Sequence, residues 1–146
     1  MASTAMTKGE REAFLAEVHV GIISVNDPGK PPLTVPIWYA YEPGGLLTVI
    51  TGRDSRKAHL IRKEMEFSLC VQTEKGLYKY VSVSGPVVAI EEALDPDERK
   101  AMAYRYLGQK VGDSYLAGTA ERDEEDIAVR MQPRRWLTVD YGKTYG

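Results

Sequence analysis

The sequence contains one cysteine, Cys70, and two histidines, His19 and His59, among its 146 residues. A single thiol excludes an internal disulfide. Cys70 stands in the apolar segment 67–71, which predicts a buried strand rather than a reactive site. Zinc sites ordinarily use three or four protein ligands, and the acids near the histidines follow no metal-binding spacing, so we predict no metal site. With one cysteine, no nucleophile elbow and no paired histidine motif, the sequence gives no support to covalent hydrolase chemistry.

Long apolar runs, a basic excess and low-complexity tracts are also missing. No segment reaches the length of a transmembrane helix and the first six residues carry no signal-peptide core, so we predict a cytoplasmic protein outside the membrane. The chain has 19 Lys and Arg against 21 Asp and Glu, whereas proteins that bind nucleic acid over a large surface are usually basic. Basic residues gather in 53–63, which favours a small anionic ligand instead.

The length and the regular turn signals predict one domain, 1–146, built mainly from strands. The predicted strands are 20–25, 33–41, 46–51, 67–73, 78–90 and a last bent strand over 127–139 that is interrupted at Pro133. Gly85 and Pro86 predict a bend in the long fifth strand. About six strands joined by tight turns, with a short helix after the third, predict a mainly β fold: an antiparallel Greek-key or split barrel with peripheral helices.

Capping signals mark where the helices begin. Thr7 and Glu10 have the spacing of a capping box, which predicts a short helix to about residue 17. Asp95 followed by proline and two acids predicts a second helix start, with an end near Gly108. The charged segment 109–125 fits either another helical piece or a mobile lid, and the pattern alone does not choose between them.

The segment from Thr51 to His59 carries the most specific chemical signal. Ser55 is the predicted N-cap of a helix, and Arg56 and Lys57 follow in its first turn. Exposed amides, the helix dipole and two cations in one small volume favour a phosphate. We name the segment from Thr51 to His59 the corner, and we expect the His59 side chain to line it. The alternative is a solvated basic helix face, because no glycine-rich phosphate loop accompanies the cluster.

The extended run 33–39 precedes this corner by about a dozen residues and contains Pro36 and Trp38. Proline in a strand indicates an edge or an interrupted hydrogen-bond ladder. A planar heterocycle could accept main-chain hydrogen bonds there and stack on apolar side chains, whereas protection of a free edge is the alternative explanation.

Three segments carry a family resemblance. The pentapeptide 55–59, preceded by Ile50 and Thr51, is similar to the phosphate-binding segment of pyridoxamine 5′-phosphate oxidases. Most of the chain resembles the pyridoxamine 5′-phosphate oxidase-like split-barrel superfamily, which includes FMN enzymes and reductases that use the deazaflavin coenzyme F-420. The segments 32–40 and 134–143 look more like its actinobacterial deazaflavin branch.

The resemblance implies an FMN-binding type of split barrel and a homodimer with the cofactor in a groove between two barrels. The implied cofactor-binding residues are Val35, Pro36, Ile37 and Trp38 along the ring, Ile50, Thr51 and Ser55 near the ribityl phosphate, Arg56 and Lys57 on the phosphate with His59 beside them, and Tyr80 and Trp136 from the partner subunit. Tyr80 stands where the vitamin-metabolising oxidases have a glutamine, and their C-terminal arginine pattern is missing. The resemblance therefore does not extend to pyridoxal chemistry.

The resemblance further implies an oxidoreductase that transfers hydride to a small unsaturated organic acceptor. We prefer coenzyme F-420 to FMN because Arg53, Arg62 and Lys63 could track its anionic oligoglutamate tail. Neither acid nor base catalysis can be assigned to a named residue. The alternatives are a protein that binds and stores a cofactor or a ligand such as a tetrapyrrole without turnover, and a nucleic-acid-binding barrel, which the missing basic excess disfavours.

Overall fold

The computed structural model describes residues 3–146. The strands in this part are β1 Gly21–Val25, β2 Leu33–Ile37, β3 Tyr39–Tyr41, β4 Leu47–Gly52, β5 Glu66–Thr73, β6 Lys79–Glu91, β7 Asp126–Met131 and β8 Arg135–Asp140. The helices are α1 Lys8–Ala16, α2 Arg56–Glu64, α3 Pro96–Gly118 and α4 Gly142–Tyr145, with a 3-10 helix over Ala120–Glu125. None of the described helices is both long and apolar enough to cross a bilayer.

All strand pairs are antiparallel, and the sheet runs in the order β2-β1-β5-β6-β7-β4-β3 with β8 paired to β6. The thirteen-residue β6 joins the two halves of the sheet, since its first part pairs with β5 and β8 and its last part with β7. Its ladder shifts register between Val87 and Ala89, just after the bend that Gly85 and Pro86 predict. The predicted mainly β split barrel is therefore confirmed.

The described part of the sheet has eight strands rather than the predicted six. The run 33–41 breaks at Trp38, because β2 pairs with β1 in one half of the sheet and β3 pairs with β4 in the other. The run 127–139 breaks into β7 and β8, which pair with different parts of β6. The interruption predicted at Pro133 is therefore confirmed. The break at Trp38 was not predicted, because the apolar pattern of 33–41 does not reveal that its two parts join different halves of the sheet.

Apolar side chains of both sheet halves, α1 and α2 enclose one core. Tyr39 is fully buried in it, and its hydroxyl donates a 2.6 Å hydrogen bond to the carbonyl oxygen of Leu15 in α1. Burial raises the pKa of Tyr39. Cys70 lies in β5 as predicted, but its side chain is half-buried on the outer face of the sheet, where burial raises the pKa of the thiol.

The predicted helix after Asp95 turns back on itself at Gly108, whose φ of 75° is accessible to glycine at little cost. The segment 109–118 then packs along 96–107, and a Cβ at Gly112 would lie 2.6 Å from the Tyr104 ring. Tyr104 also donates a hydrogen bond to Asp113. Of the two alternatives for 109–125, the structure has the helical piece, and α3 is a helical hairpin.

The capping box at the start of α1 is confirmed: the Thr7 hydroxyl accepts from the Glu10 amide at 3.2 Å, and the Thr7 amide donates to the Glu10 carboxylate at 2.8 Å. Lys143 of α4 donates a 2.6 Å hydrogen bond to the same carboxylate. The hydrogen bonds from Lys143 and Thr7 lower the pKa of Glu10 from 4.5 to about 2. The two ends of the chain are thus tied by a charge-dependent contact.

We expect Glu10→Gln to flatten the acid dependence of stability. A folded-state pKa below the unfolded value contributes stability above pH 4.5, and this contribution is lost as the pH falls towards 2. The measurement is the urea midpoint at several pH values in this window. Glu42→Gln, at an exposed turn position, is the control and should keep the wild-type slope. Identical slopes for the Glu10 variant and wild type would contradict the assignment.

Candidate functional site

The predicted corner forms where β4 ends and α2 begins. Ser55 is the N-cap of α2, as predicted: its hydroxyl oxygen accepts from the Ala58 amide at 3.0 Å, while its proton goes to the Gly52 carbonyl oxygen at 2.8 Å. The Thr51 hydroxyl oxygen lies 3.2 Å from that of Ser55. This network fixes the first turn of α2 against the last residues of β4.

A cavity of about 240 Å³ opens beside this corner. It brings together four of the predicted site residues, Trp38, Ile50, Thr51 and Lys57, although they come from the β2–β3 break, β4 and α2. The α3 hairpin forms the opposite wall, so the cavity lies between the sheet and a helical cover.

Of the two predicted phosphate-binding cations, Arg56 and Lys57, it is Lys57 that lines the cavity. Its side chain is half-buried, and desolvation lowers the pKa of its ammonium group. Among the side chains that the structure describes, no carboxylate forms an ion pair with it. A partly desolvated ammonium without a counter-charge would be stabilised by an anion in the cavity.

Arg56 lies elsewhere. Its guanidinium donates to both carboxylate oxygens of Asp27, at 2.8 and 2.9 Å, in the turn between β1 and β2. Consecutive helical residues point about 100° apart, so Arg56 and Lys57 leave α2 in different directions. His59 is exposed and, like Arg56 and Ser55, does not line the cavity. The structure therefore does not bring the two predicted phosphate-binding cations together.

The strand residues predicted along the ring also separate. Ile37 is buried in the core and Val35 packs against it, whereas Pro36 is exposed on the outer face of the sheet. Only Trp38, which follows β2, has its side chain in the cavity wall. Backbone alternation in β2 is the cause, since successive side chains point to opposite faces.

Tyr80 and Trp136 do not line the cavity of their own chain. Tyr80 is half-buried on β6, and Trp136 on β8 packs edge-on against Tyr41 with the Arg11 guanidinium 4.5 Å above its ring. Their predicted approach to the cofactor of a partner subunit stays a prediction.

The residues that line the opposite wall of the cavity were not predicted as site residues from the sequence. They are Arg99, Met102, Ala103, Tyr115, Arg122 and Asp126. Arg99 is buried, donates to Asp126, and makes hydrogen bonds of 3.1 and 2.6 Å to the carbonyl and hydroxyl oxygens of Thr119. The spacing of 99, 102 and 103 places these residues on one helical face, which was the available signal. Their proximity to β4 depends on tertiary packing.

The cations predicted to track an anionic tail already share a partner. Arg62 makes two hydrogen bonds of 2.6 and 2.8 Å to the Glu92 carboxylate, and Arg53 donates to the Glu92 carbonyl oxygen at 2.8 Å. Lys63 is exposed in the last turn of α2. Within the described residues, no group of three or more His, Cys, Asp or Glu side chains is arranged to hold a metal ion.

Solved structures share this fold. A conserved hypothetical protein, Rv2991, from Mycobacterium tuberculosis superposes with a TM-score of 0.78 at 21% identity, covering 100% of this chain and 92% of that one. An F420 reductase superposes with a TM-score of 0.70 at 17% identity, covering 86% and 94%. A FAD-binding protein from Mesorhizobium loti gives 0.61 at 20% identity, covering 91% and 94%. At these identities the likeness establishes the fold alone.

Curated protein sequences give no significant match. A family model described as pyridoxamine 5′-phosphate oxidase matches residues 7–140, which include every strand that the structure describes and the whole candidate site. The chain therefore belongs to the pyridoxamine 5′-phosphate oxidase family, a family of flavin-related oxidoreductases.

Proposed function

We propose that this chain is a homodimeric oxidoreductase that binds coenzyme F-420, or FMN in its place, and transfers hydride to a small unsaturated organic acceptor. The observation that carries the proposal is Lys57, a partly desolvated cation that lines a cavity together with Thr51 and Trp38. A phosphate would supply the missing counter-charge. The names of two proteins with the same fold, an F420 reductase and a FAD-binding protein, support a cofactor of this chemical class.

In this proposal Lys57 holds the phosphate, and the Thr51 hydroxyl becomes a second donor by turning from the Ser55 oxygen 3.2 Å away. Ser55 acts mainly by capping α2, because its hydroxyl is already engaged at 2.8 and 3.0 Å. Arg56 would have to leave Asp27 to join them, so we assign it the smaller share of the affinity. The start of α2 adds the positive end of its dipole.

The bound cofactor would supply the hydride chemistry. The residues of this chain would bind it, orient it along the backbone of 35–38, and exclude water with the α3 hairpin. Apolar Met102 and Ala103 and the rings of Trp38 and Tyr115 give the cavity walls suited to a flat ring.

A second copy of the chain is part of the proposal. A cavity of about 240 Å³ is smaller than the roughly 300–1,000 Å³ of usual ligand sites, so one chain would hold only part of the cofactor. The outer face of the sheet carries an uncharged row, in register across five strands: Pro36, Ile22, Cys70, Ser82 and Leu137. Ile22 is 40% and Leu137 62% exposed, a face suited to another copy. Sedimentation of a single 16.3 kDa species at micromolar concentration would contradict this part.

The cations around α2 bear on the choice between F-420 and FMN. An anionic tail would meet Lys63 directly, but it would compete with Glu92 for Arg53 and Arg62. FMN lacks such a tail and needs none of these residues. The two cofactors therefore differ in their expected dependence on salt, since exposed charge pairs are screened.

The test is titration of the purified apoprotein with F-420 and with FMN, followed by quenching of cofactor fluorescence. We expect saturable binding of at least one cofactor, with F-420 the tighter and more salt-sensitive. Failure of both would refute the proposed function. Steady-state reduction of an enone by the loaded protein then separates an oxidoreductase from a protein that only carries the cofactor.

A further inference from the structure

A larger cavity lies on the outer face of the sheet, beside the bend of β6. Its volume is about 520 Å³, which is within the range of usual ligand sites. It shares no lining residue with the cavity at Lys57. We name it the outer cavity. Its polar lining includes Ser24, Asn26, Ser68, Ser84, Arg134 and Arg135.

A row of hydroxyl groups forms the floor of the outer cavity. Thr34, Ser24, Ser68 and Ser84 are in register on β2, β1, β5 and β6, and Arg135 on β8 continues the row. This row runs parallel to the uncharged row proposed to face a second copy, two residues away along each strand. The Ser24 and Thr34 hydroxyl oxygens lie 3.4 Å apart. Because a hydroxyl group both donates and accepts, the floor offers neutral hydrogen-bond partners that end at a cation.

Two neighbouring arginines stand at that end of the row. Arg134 and Arg135 are exposed, and no carboxylate among the described side chains forms an ion pair with either. Arg56 and Arg62, by contrast, each have a carboxylate partner. The Arg134 amide donates to the Ser84 carbonyl oxygen at 3.0 Å, which fixes the backbone beside the row. Since a guanidinium group binds phosphate through two parallel hydrogen bonds, two adjacent ones suit a doubly charged anion.

The remaining lining residues narrow the class of ligand. Glu66 on β5 also lines the outer cavity, so two arginines against one glutamate leave a formal charge of +1. Its carboxylate can accept hydrogen bonds from the hydroxyl groups of a ligand. Phe67 is the aromatic residue of the described lining and is only 3% exposed, so a nucleobase would find no ring to stack on. These properties fit a ligand that combines an anion with hydroxyl groups.

We infer that the outer cavity binds a phosphorylated sugar or polyol, with its phosphate on the two arginines and its hydroxyl groups on the serine row. A phosphomonoester carries about 1.5 to 2 negative charges at pH 7, which matches two arginines better than a single carboxylate does. The inference does not depend on the proposed function, whose phosphate site is at Lys57. Because FMN and F-420 also carry a ribityl phosphate, the test separates a free sugar phosphate from the cofactor.

The test is isothermal titration calorimetry at low ionic strength with ribose 5-phosphate, inorganic phosphate and ribose. We expect ribose 5-phosphate to bind about tenfold more tightly than inorganic phosphate, and ribose to give no measurable binding. Arg134→Ala combined with Arg135→Ala should weaken ribose 5-phosphate binding about tenfold or more. The matched control combines Lys75→Ala with Lys110→Ala, which removes the same formal charge from exposed residues outside both cavities. It should bind like wild type.

Two further variants locate the sugar. Ser68→Ala combined with Ser84→Ala should reduce the preference for ribose 5-phosphate over inorganic phosphate to about threefold or less, without changing the affinity for inorganic phosphate. Lys57→Ala should leave ribose 5-phosphate binding unchanged, because Lys57 lines the other cavity.

The inference is overturned if ribose 5-phosphate does not bind, if the lysine control loses as much affinity as the arginine variant, or if the serine variant keeps the full preference. Loss of binding in Lys57→Ala would also overturn it, by placing the ligand in the other cavity. If the arginine variant instead loses affinity for FMN or F-420, or dissociates a dimer without affecting ribose 5-phosphate, the arginines serve the cofactor or a second copy. Failure of wild type to bind either cofactor refutes the proposed function alone.

Discussion

Gly85→Ala should destabilise the protein by about 3 kcal/mol or more, because the added methyl group would enter backbone rather than a movable side chain. A Cβ at Gly85 would overlap the carbonyl oxygen of Gln132 and lie 2.9 Å from its carbonyl carbon. That segment cannot shift freely, since Gln132 donates to the Pro86 carbonyl oxygen at 2.9 Å and Arg134 to that of Ser84 at 3.0 Å. Here β6 passes from one half of the sheet to the other.

The measurement is the free energy of unfolding from urea denaturation. Gly9→Ala is the matched control, since a Cβ there meets nothing within 4 Å and the residue lies in α1. Helix propensity predicts that this control is neutral or stabilised by up to about 1 kcal/mol. If Gly85→Ala were as stable as wild type, the backbone of Gln132 could not lie against Gly85 of β6.

Local signals in the sequence predicted the local structure well. Thr7, Ser55 and Asp95 begin their helices as predicted, because a cap is decided within about four residues of chain. Gly108 marks the end of the first α3 segment for the same reason. Strand partners were harder, since the break at Trp38 depends on which half of the sheet each side of it joins.

In the candidate site too, features decided by neighbouring residues in the sequence were predicted, whereas features decided by tertiary contacts were not. The sequence identified the corner after β4, and four of its predicted residues do line one cavity. The sequence could not show whether Arg56 or Lys57 faces that cavity, because Arg56 is held away from it by hydrogen bonds to Asp27, a residue of a distant turn. Nor could it place Tyr115, since the fold-back of α3 over β4 is a tertiary contact.

Lys57→Ala should weaken cofactor binding by about 1.5–3 kcal/mol, or roughly 10- to 150-fold in Kd, as expected for loss of a charge-assisted hydrogen bond to phosphate. Arg56→Ala is the matched control, because it removes the same formal charge from the preceding residue of the same helix. Arg56 is bound to Asp27 at the surface, so its removal should change Kd by less than about threefold.

The pH dependence of binding provides an independent check on Lys57. Desolvation lowers the pKa of its ammonium group in the free protein, and a bound phosphate would favour the charged form. Affinity should therefore be full at neutral pH and fall as the pH rises through that lowered pKa, below the usual lysine value of 10.5. Lys57→Arg, which keeps its charge throughout this range, should remove the alkaline decline. Equal losses for Lys57→Ala and Arg56→Ala, or a decline that persists in Lys57→Arg, would show that the phosphate is held elsewhere.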